Sequence, residues 1–297
     1  MTNRRDFLRK TAIGTAGLAL GGLGSGYTLS GCAKKTQMKF GLVTYMWGAD
    51  WDLPTLISNC EQTGLQAVEL RADHAHGVES SLDAAARAEV KKRFADSPIT
   101  CVGYGSNFQF HDPDPAKLRQ NIEGAKAYIK LCKDIGASGL KVKPNTLPPE
   151  VPREITIAQI ATGLNEVGRF AADQGMLIRV EAHGRYTQEL PVMKAIFDQV
   201  TEKNVKICWN CNAVDMNPPG LEGNFNMVKQ WIGDVVHVHQ LQLDDYPYQQ
   251  LFNLLAGIDF HGWLLLEDSR VPEDRIAALK EQVVVFGELM GQIQQGS

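Results

Sequence analysis

From Met38 onward, short apolar runs alternate with longer segments in which apolar residues recur at helical spacing. The short runs are rich in β-branched residues and predict eight strands, namely MKFGLVTYMW, QAVELRA, ITCVGYGSN, GLKVKPN, LIRVEAHG, VKICWNCN, VVHVHQLQL and WLLLEDS. The longer segments predict a helix after each strand, from DLPTLISNCEQTG to PEDRIAALKEQVVVFGELMGQI. Four glycines stand where helices should end and are expected to cap them: Gly64, Gly136, Gly175 and Gly233.

Alternating strand and helix units imply a parallel sheet, and eight such units in about 260 residues predict a (β/α)8 TIM barrel. A doubly wound open sheet is the alternative. It is disfavoured because neither a G-x-G-x-x-G motif nor a P-loop follows any predicted strand. No linker is long enough to divide the barrel, so residues 38–297 are expected to form one domain.

The first 37 residues have a different character. The segment containing Arg4 and Arg5 resembles a twin-arginine export signal, and a weakly apolar run rich in Gly and Ala follows it. The run ends in LSGC, which resembles a bacterial lipobox with Cys32 as the lipid acceptor. We therefore expect residues 1–37 to be a cleaved export signal with a tether, placing the protein on the periplasmic face of a membrane. A plain N-terminal anchor helix is the alternative.

Composition narrows the class of partner. The chain of 297 residues has a formal net charge of −4 and no basic run, which argues against a nucleic-acid partner. Contact with the membrane is expected only through lipid on Cys32. The five other cysteines have irregular spacing and predict no disulfide framework. Cys208 and Cys211 lie three apart on a predicted strand, so they should face opposite sides and serve in packing.

Polar residues collect at the predicted carboxyl ends of the strands, where TIM barrels carry their chemistry. The second and third strands end with Glu69, Arg71, Tyr104 and Asn107, and the fourth with Lys141 and Lys143. The last four strands end with Glu181 and His183, Asn210 and Asn212, His237 and His239, and Glu267. Carboxylates buried without partners cost several kcal/mol. A divalent cation is their natural partner.

With these residues, the second half of the chain resembles the xylose isomerase-like superfamily of TIM barrels, also called sugar phosphate isomerases/epimerases. RVEAHG supplies Glu181, VHVHQLQ supplies His239 and GWLLLED supplies Glu267 at the strands that carry the family's metal ligands. The family usually has Asp on the sixth strand, where CWNCN has Asn210. An amide oxygen can still bind a hard cation, although it adds no charge.

The resemblance implies a metal site formed by Glu181, Asn210, His239 and Glu267, with Mn²⁺, Mg²⁺ or Co²⁺ expected in preference to Zn²⁺. His237 and His239 lie two apart and face the same side, so either could be the ligand, and His239 is preferred. For Asn210, a structural hydrogen-bonding role is the alternative.

The resemblance also implies a metal-dependent isomerase or epimerase that acts on a small carbohydrate. Glu181 and Glu267 would remove and return a proton at the carbon next to a carbonyl. Substrate-binding candidates are His183, Lys141, Lys143, His76, Asn212 and His237; for His237, a place behind the metal ligands or in the core is the alternative.

Two other functions remain open. A lyase or hydratase of keto-glycosides would begin with the same proton abstraction, and an exported protein meets glycosides more often than phosphosugars. A non-catalytic sugar-binding lipoprotein is the third candidate, because the usual aspartate is missing. DNA repair is disfavoured by the expected export and by the lack of a basic groove. The oligomeric state is not indicated by the sequence.

Overall fold

A computed structural model describes residues 37–293. The predicted export signal, with Arg4, Arg5 and Cys32, lies outside these residues. Within the described range, no helix is long and apolar enough to cross a membrane.

Eight parallel strands close into a barrel, with the first strand hydrogen-bonded to the last. Two further strands of two residues each pair with one another outside the barrel. In chain order the strands are β1 (Lys39–Val43), β2 (Ala67–Arg71), β3 (Thr100–Gln109), β4 (Gly139–Lys143), β5 (Asn145–Thr146), β6 (Leu177–Glu181), β7 (Gly184–Arg185), β8 (Val205–Asn210), β9 (Ile232–Val238) and β10 (Trp263–Leu266). The short pair is β5 with β7. The other eight strands form the closed parallel barrel, so the predicted TIM barrel is confirmed.

Eight α-helices follow the eight barrel strands, as the hydrophobic periodicity predicted. They are α1 (Leu53–Thr63), α2 (Ala84–Ala95), α3 (Pro115–Ile135), α4 (Arg153–Asp173), α5 (Leu190–Phe197), α6 (Leu221–Val228), α7 (Tyr248–Gly257) and α8 (Arg275–Gly291). Several begin at an aspartate whose carboxylate accepts a backbone N–H of the first turn, as Asp52 does from Thr55. Short 3₁₀ turns span Ala213–Met216 and Lys229–Trp231.

Three of the four predicted helix-capping glycines are confirmed. Gly64 and Gly136 end α1 and α3 in the left-handed region, and Gly175 follows α4 with φ of 71°. The prediction for Gly233 is wrong, because this residue lies within β9. A β-carbon there would lie 2.8 Å from Cβ of Lys206, so close packing of two strands explains this glycine.

The barrel separates two apolar cores. A small inner cluster contains one residue from each of six strands, Cys208 among them, whereas Cys211 belongs to the large cluster that includes the helices. All five cysteines of the described range are free and buried. Cys208 and Cys211 therefore pack in different clusters, as is expected of residues that face opposite sides.

The short β5–β7 pair was not predicted from the sequence. It depends on two backbone conformations with positive φ, at Asn145 (77°) and Gly184 (93°). A β-carbon on Gly184 would lie 1.6 Å from the carbonyl oxygen of Asn145, so only glycine fits. The pair follows the carboxyl ends of β4 and β6, next in sequence to Lys143 and His183. It thus connects the segments that carry two of the predicted site residues.

Candidate metal centre and active site

Three potential metal ligands meet inside the barrel near the carboxyl ends of the strands. Glu181 ends β6, His237 lies near the end of β9, and Glu267 directly follows β10. One ligand atom from each can be chosen so that all three lie within 4.8 Å of one another. His237 Nδ1 lies 2.9 Å from Glu267 Oε2 and 3.8 Å from Glu181 Oε1.

The other oxygen of each glutamate is held by a cation. Lys141 Nζ donates to Glu181 Oε2 at 2.5 Å, and both side chains are buried. Arg71 donates to Glu267 Oε1 at 2.8 Å and to Asn107 Oδ1 at 3.1 Å. Each carboxylate is therefore fixed through one oxygen, while its second oxygen faces His237.

These contacts also set the charge of the two glutamates. Burial by itself would raise the pKa of Glu181, but Lys141 and His237 hold it well below the usual value. Burial likewise opposes ionisation of Glu267, yet His237 lowers the pKa of that carboxyl. Both glutamates are therefore ionised at neutral pH, as is required of a metal ligand and of a general base.

The donor set fits a divalent cation. It offers two carboxylate oxygens and one imidazole nitrogen, a combination that Mn²⁺, Co²⁺ and Zn²⁺ accept. Neither ring nitrogen of His237 makes a hydrogen bond with a described residue, although the ring is fully buried. A buried polar atom without such a partner is costly, so this set of atoms is suited to a ligand.

Two members of the cluster, Glu181 and Glu267, line an open cavity of about 490 Å³ at the carboxyl ends of the barrel strands, whereas His237 is fully buried. This volume falls in the range of small-molecule sites. The lining side chains are Tyr45, Arg71, Lys143, Glu181, His183, Asn210, Cys211, Ala213, His239, Asp245, Tyr246, Glu267, Asp268, Ser269 and Arg270.

Six of the predicted site residues thus line this cavity together: Lys143, Glu181, His183, Asn210, His239 and Glu267. The structure differs from the sequence-based assignment in the histidine of the cluster, which is His237 and not His239. The spacing of two predicts that both histidines face the same side of the strand. His239, however, lies beyond the end of β9, and its backbone N–H donates to the Tyr248 hydroxyl. His237, which the sequence analysis placed among the substrate contacts, is fully buried in this cluster.

Three predicted substrate contacts, Lys141, His76 and Asn212, do not line the cavity and bond to other parts of the protein. Lys141 is fully buried on Glu181 and does not line the cavity. His76 uses both ring nitrogens in its own loop: Nδ1 accepts the N–H of Val78, so Nε2–H donates to the carbonyl of Arg71. Asn212 donates to the carbonyl of Ala182 and begins the 3₁₀ turn after β8.

Lys143 differs from the other cations of the cavity. Arg71 is paired with Glu267, and Arg270 is paired with Asp268 and Asp245, each at 2.7 Å. Lys143 forms no ion pair with a described residue, and burial is the main reason that its pKa is lowered to about 8. It is therefore the cavity cation most available to a bound molecule.

Sequence reasoning missed several residues of this site. Glu69 and Arg71 lie at the end of the second predicted strand, and the sequence analysis assigns no role to either. Their spacing of two is the available signal, because it places both side chains on one face of the strand. Asp245, Tyr246, Asp268 and Arg270 lie in loops after the barrel strands, where no periodicity marks a site residue. Their contribution depends on loop conformation, which only the structure shows.

The fold and the cluster define a (β/α)8 barrel with a carboxylate–histidine centre at its mouth. The chain belongs to the xylose isomerase-like TIM barrel family, whose sequence model matches residues 57–286. No curated protein sequence matches the chain significantly.

Solved structures provide further comparisons. The 3-keto-D-glucoside 4-epimerase YcjR from E. coli superposes with a TM-score of 0.71 at 15% identity, covering 85% of this chain and 100% of that one. D-psicose 3-epimerase from Clostridium cellulolyticum H10, solved with D-tagatose, gives 0.70 at 15% identity, with coverage of 87% and 100%. The IOLI protein with a bound zinc atom gives 0.70 at 16% identity, with the same coverage. At these identities the similarity shows the fold alone.

Proposed function

We propose that this protein is a divalent-metal-dependent sugar epimerase or isomerase that exchanges a proton at the carbon next to a carbonyl. The observation that carries the proposal is the convergence of three ligand atoms inside the barrel: Glu181 Oε1, Glu267 Oε2 and His237 Nδ1. Family membership supports it, as does the presence of sugar epimerases among the similar structures.

Glu181, His237 and Glu267 would hold the cation, and the amide oxygen of Asn210 or the imidazole of His239 would add a ligand from the cavity wall. When bound, the cation supplies Lewis-acid polarisation of the substrate carbonyl.

The acid–base work falls to the two glutamates. They come from β6 and from the end of β10, which are separated in the barrel by β8 and β9. One carboxylate removes the proton next to the carbonyl and later releases it to solvent water. The other carboxylate takes a proton from solvent water and delivers it to the opposite face of that carbon. The ammonium group of Lys143 donates a hydrogen bond to the oxygen on which negative charge develops. Lys141 and Arg71 keep the carboxylates ionised and oriented.

The charges of the cavity favour a substrate without phosphate. A phosphate dianion is usually bound by several cationic or N–H donors. Here carboxylates already bind the guanidinium groups of Arg71 and Arg270. Among the described Lys and Arg residues that line the cavity, this leaves Lys143 without an acidic partner. We therefore propose an uncharged keto-sugar as substrate.

A keto-glycoside processed by elimination or hydration is the second candidate. The cavity of about 490 Å³ falls in the range of small-molecule sites, and the loop residues Asp245 and Arg270 are part of its lining. One of the similar structures is a 3-keto-D-glucoside epimerase. Appearance of an enone absorbance on mixing enzyme with a 3-keto-glucoside would separate elimination from epimerisation.

Titration of Mn²⁺ into metal-stripped protein tests the metal centre, with H237N and H239N as the informative pair. Loss of His237 should weaken binding by at least about 10-fold, and loss of His239 should weaken it less. Activity on D-fructose, D-allulose and L-ribulose should return with Mn²⁺. Equal turnover with and without metal, or full Mn²⁺ affinity in H237N, would contradict the proposal.

A further inference from the structure

Glu69 is a buried carboxylate that the proposed reaction leaves without a task. It lies on β2 with no exposed surface, and neither of its oxygens makes a hydrogen bond with a described residue. The nearby cations are directed elsewhere, Arg71 to Glu267 and Lys141 to Glu181. Since an ionisable group buried in this way is costly, its retention calls for a partner within the barrel.

That partner is the back of the His237 ring. Glu69 Oε1 lies 3.3 Å from His237 Nε2, whereas Nδ1 on the other side of the ring faces Glu181 and Glu267. The imidazole is thus placed between one carboxylate behind it and two in front of it.

The neighbouring strand leaves space for this arrangement. Gly105 lies on β3 beside Glu69, and a β-carbon there would come within 2.6 Å of Glu69 Oε1 and 2.7 Å of Arg71 Cδ. A larger residue would therefore displace the Glu69 carboxylate, and it would also press on Arg71, which holds Glu267. Gly105 thus offers a second way to disturb Glu69, and the substitution of Glu69 itself remains the specific one.

We propose that Glu69 is a positioning residue: when a cation is held at Nδ1 of His237, Glu69 accepts a hydrogen bond from Nε2–H across the present 3.3 Å approach, and this bond keeps Nδ1 directed toward the two glutamates. Histidines that bind metals commonly donate their second N–H to a carboxylate, which orients the ring and increases its basicity. This inference rests on the metal centre proposed above. It assigns to Glu69 control over metal affinity, with no contact to substrate.

Calorimetric titration of Mn²⁺ into metal-stripped E69Q and G105A tests the inference against the parent. Both variants should bind Mn²⁺ about 10- to 100-fold more weakly. E79Q is the matched control, because Glu79 follows the same strand but bonds to the hydroxyls of Tyr104 and Tyr128. Its Mn²⁺ affinity should equal that of the parent.

Thermal unfolding with and without Mn²⁺ separates positioning from a general structural role. Stabilisation by Mn²⁺ should shrink in E69Q, whereas a purely structural defect would lower both melting temperatures equally. Parent-like Mn²⁺ affinity in E69Q and G105A would overturn the role of Glu69 and leave the metal centre standing. Failure of the parent itself to bind Mn²⁺ would overturn the metal centre and this inference together.

Discussion

Asn210 stands where the resemblance to the family predicts an aspartate. It lines the cavity, and its Cα is paired in register with that of His237. An asparagine in place of the usual aspartate leaves the cluster with two carboxylates rather than three, which reduces the attraction for a divalent cation.

We predict that Asn210→Asp raises Mn²⁺ affinity by about 10-fold, because the change adds a negative charge beside the cation at almost constant shape. Calorimetric titration of stripped protein measures the effect. Asn226→Asp, the same change on the exposed face of α6, is the control and should leave affinity unchanged. Weaker binding by Asn210→Asp would show that the amide points away from the cation.

Lys143 is the second residue whose role can be isolated. Lys143→Met should lower kcat/KM by about 10²-fold, because an ammonium donor to the developing oxyanion is lost. The parent should lose activity as the pH rises through about 8, since burial lowers the pKa of Lys143 to about 8 and the ammonium form disappears above it. The variant should lack that decline.

Lys91→Met on the exposed surface of α2 controls for loss of a positive charge. A pH profile of Lys143→Met that still falls near pH 8 would assign the decline to another group.

The choice between His237 and His239 shows where residue-level prediction ends. Alternation along a strand placed both side chains on one face, but it does not say how deep the end of the strand lies in the barrel. In the structure β9 ends at Val238, so His237 lies within the strand beside the glutamates and His239 lies beyond it. The two glutamates are easier to predict from the sequence, since each stands at the end of an apolar run.

At the scale of secondary-structure elements, periodicity predicted the eight helices and the eight barrel strands, because each long segment buries one apolar stripe. The β5–β7 pair was missed, because strands of two residues carry no periodicity. The prediction for Gly233 is wrong because the sequence alone does not distinguish a glycine that caps a helix from a glycine between closely packed strands.

The β5–β7 pair yields a prediction of its own. Gly184→Ala should lower kcat/KM by at least about 10-fold, because the new β-carbon meets the Asn145 carbonyl and φ is 93°. Displacement of the pair would shift Lys143 and His183. Gly287→Ala on α8, where a β-carbon meets nothing within 4 Å, is the control. Full activity with an unchanged circular dichroism spectrum would separate the pair from function.

At the scale of the whole molecule, the family model matches residues 57–286 of the barrel, whereas the predicted export and lipid anchor depend on residues outside the described range. We predict that replacing Arg4 and Arg5 with Lys traps the precursor in the cytoplasm, because the export route reads paired guanidinium groups. Cys32→Ala should release the exported protein from membranes. Fractionation with a carbonate wash measures both, and membrane retention of Cys32→Ala would contradict the lipid anchor.

Proton abstraction next to a carbonyl is common to epimerase, isomerase and lyase chemistry at this site, and deuterium exchange measures it. Mn²⁺-loaded protein would be incubated in D₂O with D-fructose, D-allulose, L-ribulose and a 3-keto-glucoside, and the sugars followed by NMR. We predict that at least one sugar takes up deuterium next to its carbonyl, and that Glu181→Gln and Glu267→Gln slow uptake by about 10²-fold or more. Exchange at the parent rate in both variants, or none with any of these sugars on metal-loaded protein, would contradict the function proposed for this barrel.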